Sequence, residues 1–187
     1  MPKTALLLMD FQNVIVSRYN DNADFIDRVR TVKKAARDAG MLIVYVVVKF
    51  RPDFPDVSPH NKAFVGLKAG AFPITEGDAS SDIYAALAPD ANDLVVTKRR
   101  VGAFSGSDLE VVLRSQEITR IVLTGISTSG VVLSTLRLAA DMDYEVTVLS
   151  DCCYDKDEEV HRVLTQKVFP FQADVETAEE WMERLKF

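Results

Sequence analysis

The chain has 187 residues, 48% of them hydrophobic, with 28 acidic against 22 basic side chains and a formal net charge of -6. That length supports one compact domain with a sizeable core, and the acidic balance excludes a protein built to hold nucleic acid or an anionic membrane surface. No apolar stretch approaches the roughly 20 residues that cross a bilayer, and the opening Met1, Pro2, Lys3, Thr4 runs into an apolar segment too short for a secretory leader. The expectation is a cytoplasmic protein with neither a nucleic-acid nor a membrane partner.

In chain order, the apolar run at 4–9 predicts a strand, the period at 23–39 a helix closed by Gly40, and 41–48 a second strand, which together make a βαβ unit. Residues 50–80 hold four of the seven prolines and no sustained period, so they read as a long surface excursion. A short helix at 81–87 follows, then strand 94–97, helix 108–115, strand 120–124, helix 130–141, strand 145–149, helix 158–166, a short strand at 172–175 and helix 178–185. Unbroken apolar strands alternating with helices specify a sheet covered on both faces. The predicted class is therefore α/β, a three-layer doubly wound, Rossmann-like sandwich with a mainly parallel sheet of about six strands, in a single domain over 1–187.

Ligands of such sheets sit beyond the carboxyl ends of the strands, and three segments there carry polar groups. Asp10 follows Leu6, Leu7, Leu8 and Met9; it can serve as acid or base where burial raises its pKa, or cap a turn. Lys98 follows Leu94, Val95, Val96 and Thr97 and opens a basic triplet with Arg99 and Arg100. Its ammonium can hold Asp10 ionised or steady charge on a substrate oxygen, and Arg99 and Arg100 can pair with acidic substrate groups or with another subunit.

The third segment is the turn at 125–131. Gly125 and Gly130 have the spacing of a phosphate-binding loop, but Val131 and Val132 stand where its lysine and hydroxyl belong, so what survives is a set of amides suited to an anion. A haloacid-dehalogenase-type phosphatase is opposed by Gln12, where a second acid is required, and by Lys98 preceding Thr128. The two cysteines, Cys152 and Cys153, are adjacent and follow a strand, which predicts buried, inert thiols. His60 falls in the proline-rich loop, His161 on a helix beside Glu158 and Glu159 reads as a surface residue, and Trp181 and Phe187 suit core packing or a subunit contact.

Four pieces in order, Asp10 with Gln12 and Asn13, Lys98 through to Phe104, the turn from Gly125 to Val132, and Ser150, Asp151 and Cys152 at the next strand end, resemble the isochorismatase-like hydrolases over nearly the whole chain. The resemblance implies a triad of Asp, Lys and Cys in the amidohydrolase members. Asp10 and Lys98 match it, and Val131 falls at the nucleophile, so covalent catalysis by that route is not expected. It further implies a cis peptide between Ile126 and Ser127, a pocket lined by Gln12, Asn61, Phe64, Phe104, Ser127, Thr128 and Gly130, and a homo-oligomer, dimer or tetramer. The metal-binding version of the family uses an Asp and His cluster that Asp53 and His60 do not supply, so neither a metal nor another cofactor is expected. The resulting expectation is hydrolysis of a small metabolite through Asp10 and Lys98, with a non-catalytic metabolite- or protein-binding descendant as the alternative.

Overall fold

The computed structural model describes residues 3–19, 23–66 and 73–186. Its strands are β1 (Lys3–Met9), β2 (Leu42–Val48), β3 (Leu94–Lys98), β4 (Ile118–Ile126), β5 (Glu145–Tyr154) and β6 (Asp174–Glu176). They form one sheet in the order β3-β2-β1-β4-β5-β6, with neighbouring strands parallel throughout. The helices are α1 (Asn13–Tyr19), α2 (Ala23–Asp38), α3 (Lys62–Val65), α4 (Leu109–Ser115), α5 (Leu133–Asp141), α6 (Glu158–Val163) and α7 (Ala178–Arg184).

Alternation along β1 explains the three layers. Ala5, Leu7 and Met9 pack with Leu109 and Leu113 of α4 and Leu136 and Ala139 of α5 on one face, while Leu6 and Leu8 pack with Val16 of α1, Val29 and Val32 of α2 and Trp181 of α7 on the other. Trp181 is thus a core residue; Phe187 lies outside the described residues. A third, smaller cluster of Val48, Phe50, Val57, Phe64 and Ile74 lies under the proline-rich excursion. Among the described residues no helix is long and apolar enough to cross a membrane.

The structure departs from the sequence expectations at places that bear on the site. Helix α1 is not anticipated, being only 7 residues long and without an acidic first turn to mark its start. The short helix expected at 81–87 is two separate 3-10 turns, Ala79–Ser81 and Ala85–Leu87. Strand β5 runs on to Tyr154 across a bulge in the ladder: Leu123 pairs with Val148, but Gly125 pairs with Cys153, so residues 149–152 face Thr124 alone. Asp151 is held there by the Ala178 amide at 2.7 Å and by Arg28 at 3.3 Å.

The chain reverses its winding between β1 and β4, which opens a crevice at their carboxyl ends. There the two backbones approach so closely that a Cβ on Gly125 would lie 2.7 Å from the Met9 carbonyl oxygen, and Gly125 has φ +155°. Only glycine serves at that position.

Candidate active site

Asp10 sits at the mouth of this crevice in the left-handed region, φ 61°, with its amide donating to the Val46 carbonyl at 2.8 Å. Aspartate is among the few residues that accept that conformation readily. Its side chain is almost wholly buried. One carboxylate oxygen, Oδ2, accepts from Lys98 Nζ at 3.0 Å, while Oδ1 is buried and meets no hydrogen-bond partner among the described residues. Burial raises the Asp10 pKa above the usual carboxylate value, and Lys98 offsets part of that rise by its charge and hydrogen bond.

Lys98 reaches Asp10 from β3, across the end of β2, and is 1% exposed. Besides Asp10 it donates to the carbonyls of Arg100 at 3.0 Å and Val101 at 2.9 Å. All three ammonium protons therefore have acceptors, which is what a buried lysine requires. The ion pair is fixed in place by backbone as well as by charge.

The turn beyond β4 contains the cis peptide between Ile126 and Ser127 and one wide π turn, Thr128–Val132, before α5 begins. Val131 is 2% exposed and packs in the same cluster as Met9 and Ala103. Ser127 is half-buried, and a Cβ on Gly130 would lie 2.7 Å from its Oγ, so Gly130 leaves room for that hydroxyl. Thr128 is fully buried, with Oγ1 2.8 Å from His161 Nδ1, and the Ser129 amide donates to Asp155 at 2.8 Å.

His161 corrects the expectation of a surface residue. It is half-buried, anchors the turn through Thr128, and also lines a cavity of about 280 Å³ with Ser150, Asp151, Arg162, Thr165, Gln166 and Val175. Thirty-three positions separate it from Thr128, and its flanking glutamates give the helix a polar look. The one local signal is its place on the helix after β5, at the same edge of the sheet as Asp10.

Burial lowers the His161 pKa from 6.5, against the opposing charge of Asp155. The folded chain thus keeps the ring neutral at a pH where the unfolded chain takes up a proton. The ring's contribution is intact above pH 6.5 and is lost as pH falls through the lower folded value. His161→Gln is expected to flatten the acid-side fall of the urea midpoint, measured in steps from about pH 7 to about pH 5. A slope unchanged from wild type would contradict this assignment.

The remaining pocket candidates each have a partner of their own. Gln12 is fully buried and is used as a clamp: its amide nitrogen donates to Val48 O at 2.9 Å and Ser81 O at 2.6 Å, and its oxygen accepts from the Val48 amide at 2.8 Å. With those bonds made, it ties β2 to the loop and offers little to a substrate. Asn61 caps α3 by accepting from the Ala63 amide at 3.1 Å. Phe64 packs edge-on against Phe50 in the loop cluster, whereas Phe104 stacks on Tyr144 with centroids 6.0 Å apart against the α4 and α5 face. Asp53 and His60 are exposed on the loop. Cys152 and Cys153 are buried in β5; burial pushes the Cys153 thiol up to about 12 and raises that of Cys152 as well.

The model of the isochorismatase domain matches residues 4–180. The chain belongs to the isochorismatase family. Within it, this isochorismatase-family chain is 31% identical over 174 residues to the ureidoacrylate amidohydrolase of Variovorax paradoxus, covering 81% of this chain and 69% of that protein. It is 27% identical to a probable inactive nicotinamidase of Arabidopsis thaliana, covering 97% of this chain and 96% of that one. Among solved structures, an isochorismatase family protein from Burkholderia thailandensis superposes with a TM-score of 0.86 at 30% identity, covering 100% of this chain and 97% of the other. The six-stranded parallel architecture is thus the fold of an isochorismatase-family hydrolase.

Proposed function

We propose that this chain hydrolyses a small metabolite through Asp10 and Lys98 without a cysteine nucleophile. The observation that carries the reading is the division of labour on Asp10: Oδ2 is engaged by Lys98 at 3.0 Å, and Oδ1 is buried with no hydrogen-bond partner among the described residues. A desolvated carboxyl group with one uncommitted oxygen is placed to exchange a proton with a reacting molecule. In the forward step Oδ1 takes a proton from water as the water oxygen bonds to the substrate's electrophilic carbon. The same proton then passes to the leaving nitrogen or oxygen as its bond to carbon breaks. Lys98 holds the carboxylate in orientation, and the amides of the 125–131 turn are suited to negative charge on the attacked group.

The buried Val131 side chain and the high thiol pKa values of Cys152 and Cys153 support a cysteine-free route. Screening amides, esters and vinyl ethers of small acids is expected to find turnover that survives native iodoacetamide treatment and vanishes in Asp10→Asn. Loss of that turnover on alkylation would overturn the cysteine-free mechanism.

A second reading, a non-catalytic binder descended from the family, is favoured by the Val131 packing and by the inactive name of the Arabidopsis relative. It expects wild type, Asp10→Asn and Lys98→Ala to be equally silent in the same screen while a ligand still binds saturably in calorimetry.

A further inference from the structure

Lys98 relies on a stretch of chain that does not hold its own shape. Its ammonium donates to the carbonyls of Arg100 at 3.0 Å and Val101 at 2.9 Å as well as to Asp10. Yet residues 99–101 lie beyond the end of β3 in neither strand nor helix, and among the described residues their backbone makes no hydrogen bond to other backbone. Such a segment has to be fixed by side chains if its carbonyls are to stay on a buried ammonium.

The proline-rich excursion supplies that fixation through Asp56. The Asp56 carboxylate accepts from the Arg51 amide at 3.0 Å, pairs with the Arg51 guanidinium and lies 3.4 Å from Arg99 Nε. Its own carbonyl accepts from Arg100 Nη1 at 3.2 Å. Arg99 is tied in addition to Glu76, on the returning arm of the excursion, whose amide donates to the Phe50 carbonyl at 2.8 Å. Val101 packs against the loop cluster around Phe50 and Phe64, and its Cγ1 lies 3.8 Å from where a Cβ on Gly130 would stand. One loop residue thus reaches both arginines of the segment that Lys98 needs.

Asp56 is held in its charged form. Burial opposes that charge, but the Arg51 amide and guanidinium, with Arg99, keep its carboxyl below the usual carboxylate range. Its side chain is 11% exposed, and a carboxylate so enclosed is costly unless its partners are fixed. Those partners are the loop on one side and the Lys98 segment on the other.

We infer that Asp56 is a positioning residue of the Asp10 site: through Arg99 and Arg100 it holds the carbonyls that fix Lys98, and so sets how strongly Lys98 acts on Asp10. The inference rests on reading Asp10 and Lys98 as the functional site. Among the described residues Asp56 makes no hydrogen bond or ion pair to either of them. The sign of its effect separates positioning from a plain charge effect. Deleting the Asp56 charge leaves less negative potential near Asp10, which by itself lowers the Asp10 pKa. Freeing Lys98 from its carbonyls weakens the attraction that offsets burial, which raises it.

The test reads Asp10 directly and needs no substrate. The Asp10 carboxyl ¹³C resonance, assigned by its absence in Asp10→Asn, is followed against pH in the full-length chain. Asp56→Asn is expected to raise the Asp10 pKa by at least about 0.5, and Glu76→Gln, which removes the second partner of Arg99, to raise it less. Asp82→Asn removes the exposed partner of Lys49 beside the same loop and is expected to leave the Asp10 pKa in place. A fall, an unmoved value, or a rise that Asp82→Asn matches would overturn the inference. Should Asp56→Asn fold poorly, Glu76→Gln against Asp82→Asn decides by the same criterion. With a substrate in hand, Asp56→Asn is expected to lower kcat about tenfold with KM within about twofold, because Asp56 acts on the pair and not on the ligand. A change confined to KM would place Asp56 on the ligand and end the positioning role. A raised Asp10 pKa in a chain that turns nothing over leaves this inference standing and sinks the hydrolase reading, whereas turnover with an unmoved Asp10 pKa does the reverse.

Discussion

Asp10→Asn is expected to slow hydrolysis by about a hundredfold to ten-thousandfold, the range that a positioned general acid or base supplies. Asparagine is the informative replacement because the residue occupies φ 61°, which Asn tolerates as well as Asp and which alanine does not. The amide oxygen can still accept from Lys98, so the lysine keeps three acceptors and loses only a charged partner. Burial already raises the Asp10 pKa despite Lys98, so the ionised carboxylate is itself costly here and its neutral replacement costs less than an ordinary broken ion pair. A loss of about 1–2 kcal/mol in urea unfolding is expected alongside the collapse in turnover. Activity within a factor of a few of wild type would remove Asp10 from the mechanism.

Lys98→Met is expected to be the most destabilising single change at the site, by about 3–5 kcal/mol, even though methionine nearly conserves the volume. Removing the ammonium leaves Asp10 without a counter-charge and strips the Arg100 and Val101 carbonyls of their donor. The carboxyl group escapes part of this penalty by binding a proton. Its folded pKa, already raised, then rises further, so stability is retained at low pH and falls as pH climbs through the folded value. Urea midpoints of Lys98→Met measured from about pH 4 to about pH 8 should therefore decline more steeply than those of wild type. In the double variant Asp10→Asn with Lys98→Met the penalty should fall below the sum of the two single losses, since no buried charge remains. Strict additivity in that cycle would mean that the two side chains do not act as a pair.

Much of this is readable along the chain, for reasons that differ from residue to residue. Asp10 follows and Lys98 ends an apolar run, and in a parallel sheet the carboxyl ends of the strands border the crevice where ligands bind. The expectation that Val131 falls at the nucleophile comes from the family resemblance alone, since the glycines of the turn point by themselves only to an anion-binding loop. Gln12 is not legible: a glutamine two residues from the key acid looks like a substrate contact, and only the converging Val48 and Ser81 backbones reveal it as a clamp. His161 looks like a surface residue because its meaning depends on a partner brought near by the β5 bulge and α6, which no local period encodes.

Local chemistry by itself determined the strand order's raw material, the α/β class and the two residues that end β1 and β3, because hydrophobic period and strand-end position are properties of short windows. What only the tertiary structure decided is who pairs with whom. The spare oxygen of Asp10, the three acceptors around Lys98 and the His161 anchor on Thr128 are set by groups from distant segments meeting in a low-dielectric crevice. There, a charge or lone pair that finds no partner is expensive to bury and therefore informative.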